Sequence, residues 1–136
     1  MVNALTSRDE QVRIVLVDDS EDTVQALALQ LQIDGYSVQT ATNGHDALAL
    51  IDQFRPHCVL LDVVMPGMGG YELSRHLRAQ YRDDIVLIAV TGHLMDSPDV
   101  AGTIGIVDHH FPKPIEFEEL RKILPPMNDD RARGMG

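Results

Sequence analysis

Cys58-Val59-Leu60-Leu61-Asp62, followed at once by Val63-Val64-Met65-Pro66-Gly67, is the stretch whose reading decides the fold. Four apolar residues in a row read as a strand covered on both faces. The run ends in a carboxylate and then a Pro/Gly-containing loop. An acid at the carboxyl end of a buried strand contributes nothing to packing. In an open α/β sheet that edge is where ligands bind. The pattern occurs again where Ile14-Val15-Leu16-Val17 ends in Asp18-Asp19, and a related one where Ile85 to Val90 ends in Thr91-Gly92. If the three strands are parallel neighbours, three acids and a hydroxyl converge on one spot.

Outward from these strands the chain alternates strand and helix. Arg13 to Val17 reads as the first strand. Ser20 or Asp22 can cap a helix carrying Val24, Leu27, Ala28 and Leu31 at helical spacing, which Asp34-Gly35 ends. Ser37 to Ala41 is a more polar strand, suited to an edge, and Asn43-Gly44 reads as a turn. Ala47, Leu50, Ile51 and Phe54 mark a second helix, stopped by Pro56. After Cys58 to Leu61, a helix opening at Gly69-Gly70 carries Leu73, Leu77 and Tyr81. Asp83-Asp84 reads as a loop before the strand Ile85 to Val90.

Ser97-Pro98 is a helix start, but Gly102 and Gly105 each cost about 1 kcal/mol relative to Ala in a helix interior, so a short, mobile helix is expected. His109 to Phe111 is a fifth strand cut off by Pro112-Lys113-Pro114. Phe117, Leu120, Ile123 and Leu124 make a last helix. Five strands alternating with five helices, joined by right-handed crossovers, predict a doubly wound parallel sheet. Strand order 2-1-3-4-5 puts strands one, three and four side by side. The expected layout is a flexible lead-in over 1–11, one domain over 12–124 and a flexible tail over 125–136.

Composition narrows the function. The chain has 136 residues, 44% of them hydrophobic, which is enough for one core and argues against disorder. A net charge of −10 argues against direct nucleic-acid binding, which rests on Lys and Arg neutralising phosphates. No apolar run approaches the ~20 residues that cross a bilayer, and Met1 to Glu10 lacks a signal-peptide core, so a cytoplasmic protein with no membrane partner is expected. The one cysteine, Cys58, lies in an apolar run and reads as a structural thiol. His109 and His110 are adjacent on a strand and point to opposite faces, while His45, His57 and His76 lie on separate elements. A zinc site is therefore not favoured. Phe117 with Leu120 reads as core packing.

Taken together, these motifs resemble the receiver domain of two-component response regulators. The resemblance spans about residues 12–124. It rests on Asp18-Asp19 after strand one, Asp62 after strand three, the run Met65-Pro66-Gly67-Met68-Gly69-Gly70, Thr91-Gly92 after strand four and Lys113-Pro114 after strand five. The Gly67-Met68-Gly69-Gly70-Tyr71-Glu72-Leu73 and Asp108-His109-His110 stretches look most like receivers attached to hybrid histidine kinases. The resemblance implies a flavodoxin-like fold and a phosphoacceptor role for Asp62, fed by a histidine kinase or a histidine phosphotransfer protein. A carboxylate suits that role because it is ionised at neutral pH and gives an acyl phosphate.

An anionic phosphoryl group would be repelled by carboxylates alone, so the resemblance implies a hard divalent cation, Mg²⁺ or Mn²⁺. Its ligands would be Asp19, Asp62 and the backbone carbonyl of Val64, with Asp18 acting through water. Lys113 would contact a phosphoryl oxygen, across a cis Lys113-Pro114 bond. Thr91 would donate its hydroxyl and, with His110, form a switch acting on the surface of helix four, strand five and helix five. Homodimerisation through that face is left open.

Two departures from the family pattern stand out. Val64 and His93 occupy the places that flank the hydrolytic water. Val64 cannot orient a water, so slow autodephosphorylation and a long phosphoryl lifetime are expected. The segment from Gly105 to His110 is one residue longer than usual. Two other classes compete with this reading. A phosphorylation-independent interaction module is disfavoured by the intact Asp62, Asp19, Thr91 and Lys113. An aspartyl-nucleophile phosphatase needs a second Asp two residues after the first, where Val64 and Ser20 stand.

Overall fold

The computed structural model describes residues 11–92 and 98–124. The expected lead-in, tail, Ser97 and His93 therefore lie outside the described residues, apart from Gln11, whose side-chain amide donates to the Gly35 carbonyl at 3.0 Å. The elements run β1 (Arg13–Val17), α1 (Glu21–Ile33), β2 (Ser37–Ala41), α2 (Gly44–Phe54), β3 (Cys58–Asp62), α3 (Gly70–Tyr81), a 3₁₀ turn (Arg82–Asp84), β4 (Val86–Thr91), α4 (Pro98–Ile104), β5 (His109–Pro112) and α5 (Phe117–Ile123). The sheet is parallel in the order β2-β1-β3-β4-β5. This is the doubly wound sheet that the alternation predicts, in the flavodoxin-like order that the resemblance implies.

Strand periodicity sorts the core onto two faces. Val15, Val17, Val59, Leu61, Leu87 and Ala89 point one way, onto Ala47 and Ile51 of α2, Leu73 and Leu77 of α3 and Val100 of α4. Their neighbours Ile14, Leu16, Cys58, Leu60, Ile88 and Val90 point the other way, onto Val24, Ala28 and Leu31 of α1 and Leu120 of α5. Phe117 packs against this second cluster, as core packing requires. The more polar β2 is an edge strand.

Several boundaries differ from the sequence reading. β3 extends through Asp62 and β4 through Thr91, because the register pairs Asp62 with Val90 and Thr91 with Pro112. The two functional side chains therefore sit on the last residues of strands rather than in loops. Asn43-Gly44 is a helix start, not a free turn. Asn43 Oδ1 accepts from the Asp46 N–H at 2.8 Å, satisfying one of the donors that open a helix. Asp83-Asp84 belongs to the 3₁₀ turn. In α4, Gly105 falls outside the helix and Gly102 inside it.

Candidate functional site

Each acid reaches the sheet's carboxyl edge on a different strand. Asp18 follows β1, and its N–H donates to Ala41 O of β2 at 3.2 Å, so the ladder carries it one residue beyond the strand. Its Oδ1 accepts from the Ser20 N–H at 2.9 Å. Ser20 in turn caps α1 by accepting from the Thr23 N–H. Asp62 closes β3, and its Oδ1 accepts from the Val64 N–H at 3.3 Å. This turn folds the chain back over the carboxylate. Ligand oxygens of Asp18, Asp19 and Asp62 all lie within 4.8 Å of one another. Asp18 and Asp62 are buried and Asp19 is exposed, so the group opens to solvent on one side.

Lys113 reaches this group from the β5–α5 loop. Its N–H donates to Thr91 O at 2.7 Å, which ties the two strand ends together. Its Nζ lies 2.8 Å from Asp62 Oδ2 and 3.3 Å from Asp18 Oδ2. The Lys113–Pro114 peptide is cis. Thr91 is buried, and its hydroxyl donates to Phe111 O at 3.4 Å. His110 lies apart from the cluster, exposed on β5 and in register with Ala89. The Val64 side chain points outward, 54% exposed beside the acids.

The electrostatics follow from crowding. Burial raises the Asp62 carboxyl pKa above its ordinary value. Lys113 pulls it down, Asp18 pushes it further up, and the balance stays upward. Burial alone would lower the Lys113 ammonium, but its contacts with Asp62 and Asp18 outweigh that and raise it. Three carboxylates against one ammonium leave a formal surplus of two negative charges. Hard oxygen donors with surplus negative charge fit Mg²⁺, which takes one or two carboxylates and keeps waters. The Cys58 thiol is fully buried and pushed up to about 12, first by burial and then by Asp108, which makes it an inert core residue.

Two features escaped the sequence reading. One is the Ser20 N–H that holds Asp18, a backbone contact with no residue signature. The other is Asp108. Its Oδ2 accepts from the Leu87 N–H at 2.8 Å and from Arg78 Nη2 at 2.9 Å. Arg78 also donates to Arg82 O, Ile85 O and Ile106 O, so the pair fastens α3, the start of β4 and the α4–β5 loop at the sheet's opposite end.

Comparison with known proteins identifies the family and the fold. The family described as the response regulator receiver domain matches residues 14–125. Over 109 residues the chain is 41% identical to the response regulator MprA of Mycolicibacterium vanbaalenii, covering 80% of this chain and 47% of that protein. The chain thus spans about half the length of the curated relatives it matches. Among solved structures, the response regulator TrrA of Thermotoga maritima, crystallised with Mg²⁺ and BeF, is 30% identical with a TM-score of 0.70. That match covers 82% of this chain and 95% of TrrA. The chemotaxis protein CheY4 of Vibrio cholerae is 27% identical with a TM-score of 0.73, covering 84% of this chain and 99% of that one. The chain belongs to the response regulator receiver domain family, the signalling domain of two-component systems. No described helix is long and apolar enough to cross a membrane.

Proposed function

We propose that this receiver domain, spanning residues 12–124, accepts a phosphoryl group on Asp62 from the phosphohistidine of a histidine kinase or histidine phosphotransfer protein. The observation that carries the reading is Lys113 Nζ at 2.8 Å from Asp62 Oδ2, beside three carboxylates that share a 4.8 Å neighbourhood. An Asp62 carboxylate oxygen attacks phosphorus and the P–N bond to the donor imidazole breaks. The imidazole keeps the electron pair and becomes neutral by the proton it already carries or takes up. The product is an acyl phosphate.

Asp19, Asp62 and the Val64 carbonyl would hold Mg²⁺ or Mn²⁺, with Asp18 acting through water. The bound cation supplies charge neutralisation for the incoming phosphoryl oxygens. Lys113 is already charged and in place to meet one of those oxygens, so little reorganisation is needed at the moment of transfer. Thr91 turns its hydroxyl from Phe111 O toward the phosphoryl group, and His110 swings inward from its exposed position. The surface of α4, β5 and α5 then carries the altered state to its partner, which includes a second copy of this chain as one option. Val64, too apolar to orient water, makes the acyl phosphate long-lived. On the family pattern, His93 is the polar residue left for that task.

Intact-protein mass tests this reading. With a small phosphodonor and Mg²⁺ the protein gains one phosphoryl group, and Asp62→Asn does not. Absence of the gain in the wild type would leave a phosphorylation-independent interaction module. Decay of the phosphorylated form takes minutes or longer; a half-life of seconds would sink the role given to Val64.

A further inference from the structure

Gly70 and Gly102 stand where a side chain would collide with two particular neighbours. A Cβ on Gly70 would lie 2.5 Å from the Asp62 carbonyl oxygen and 2.6 Å from Val63 Cα. The first turn of α3 is therefore seated directly on the backbone of the acid-bearing strand end, and the Gly70 N–H donates to Val63 O at 2.8 Å. The next residue is Tyr71. A Cβ on Gly102, inside α4, would lie 2.6 Å from Tyr71 Cε1 and 3.0 Å from Cδ1 and Cζ. The ring fills the space that any other residue would need. A helix-interior glycine is unfavourable by about 1 kcal/mol relative to Ala, so its presence in this seven-residue helix calls for a packing reason. The Tyr71 ring is that reason. Ser74 Oγ, fully buried, donates to Tyr71 O at 2.8 Å and locks this turn of α3.

We infer that Tyr71 is a positioning residue that couples the backbone of Asp62 to α4 through Gly70 and Gly102. This inference rests on Asp62 being the phosphoacceptor. The contacts form one unbroken series: Asp62 carbonyl, Gly70, Tyr71 ring, Gly102. The first step is backbone against backbone and the last is a planar ring against helix backbone, so a shift of the β3–α3 loop reaches α4 through the Tyr71 ring. The route is separate from the hydroxyl of Thr91 and from His110, because it leaves Asp62 through α3 rather than through β4. Coupling of this kind is reciprocal, so a change at the α4 end alters occupancy at the acid end by the same factor.

Hydrogen exchange of the amides of residues 99–104, with and without Mg²⁺ plus beryllium fluoride as an acyl-phosphate mimic, tests the inference. In the wild type the mimic changes those exchange rates by at least about fivefold, the lower end of ordinary site-to-site coupling. Tyr71→Phe, which keeps the ring, responds in the same way. Tyr71→Ala still binds the mimic, but its α4 response falls below about twofold on the same scale. Gly102→Ala perturbs α4 exchange even without the mimic, and adding Tyr71→Ala to it relieves that perturbation. A full wild-type response in Tyr71→Ala overturns the inference and leaves the phosphoacceptor reading standing. Failure of the wild type to bind the mimic removes both.

Discussion

Asp62 and Lys113 define the residue scale. With no cation bound, burial makes the ionised Asp62 costly, and its folded-state pKa lies above the unfolded 3.8. The sign follows from linkage: a carboxyl that holds its proton more tightly when folded stabilises the fold at low pH. That advantage is lost as pH rises from 3.8 through the raised value. Metal-free Asp62→Asn therefore has a higher melting temperature than the wild type at neutral pH, and the gap closes on acidification. Thermal unfolding of both proteins across pH checks this; a gap independent of pH would place the cause elsewhere. Lys113→Ala has the opposite sign. Among the described residues it removes the cation that pairs with both buried carboxylates, and because the lysine is 36% exposed the loss is about 1 kcal/mol. Saturating Mg²⁺ restores most of it, because the cation supplies the missing positive charge. The residue types at 18, 19, 62 and 91 were legible in the sequence because each ends or follows an apolar run, and Lys113 because Lys113-Pro114 matches the family motif. The hydrogen bond from Ser20 N–H to Asp18 was not, since any non-proline residue could donate it.

At the scale of the element, α1 and the α4–β5 loop depend on single anchors. Ser20→Ala removes the cap of α1 and costs about 1 kcal/mol in chemical denaturation. Asp108→Ala leaves the Leu87 N–H and part of the Arg78 guanidinium without their acceptor, a loss of about 1–2 kcal/mol after allowance for exposure. Burial would raise the Asp108 carboxyl, but the Leu87 N–H and Arg78 outweigh it and hold it below 3.8. The stabilisation is thus present above that value and lost as pH falls through the depressed one. A double-mutant cycle with Arg78→Ala isolates the pair, and additive losses would refute the fastening role. The sequence marked Asp108 only as part of a familiar stretch. Its partners lie 21 and 30 residues away, and no local period links them. In the sequence Gly102 is only a helix weakener; the Tyr71 ring packed against it supplies the reason for it.

For the whole molecule, the proposed cation site, the net charge of −10 and the surplus at the acid cluster together predict that a divalent cation raises stability. Mg²⁺ at a hundredfold excess over its dissociation constant adds about 2.7 kcal/mol. Calorimetry checks this, with Asp62→Asn showing a smaller gain and an unchanged melting temperature counting against the site. By itself the sequence determined the number and order of strands, the two-sided core and the residues at the carboxyl edge. The number of strands and the two-sided core follow from local hydrophobic period and the handedness of crossovers; the strand order and the full set of edge residues came with the resemblance to the receiver family. The tertiary structure alone sets which carboxylate oxygens the Lys113 Nζ meets, how far the acids stand apart, why α4 tolerates a glycine and where Asp108 binds. Those are distances between residues remote in the chain, set by how helices pack on the sheet, and no pattern along one dimension encodes them.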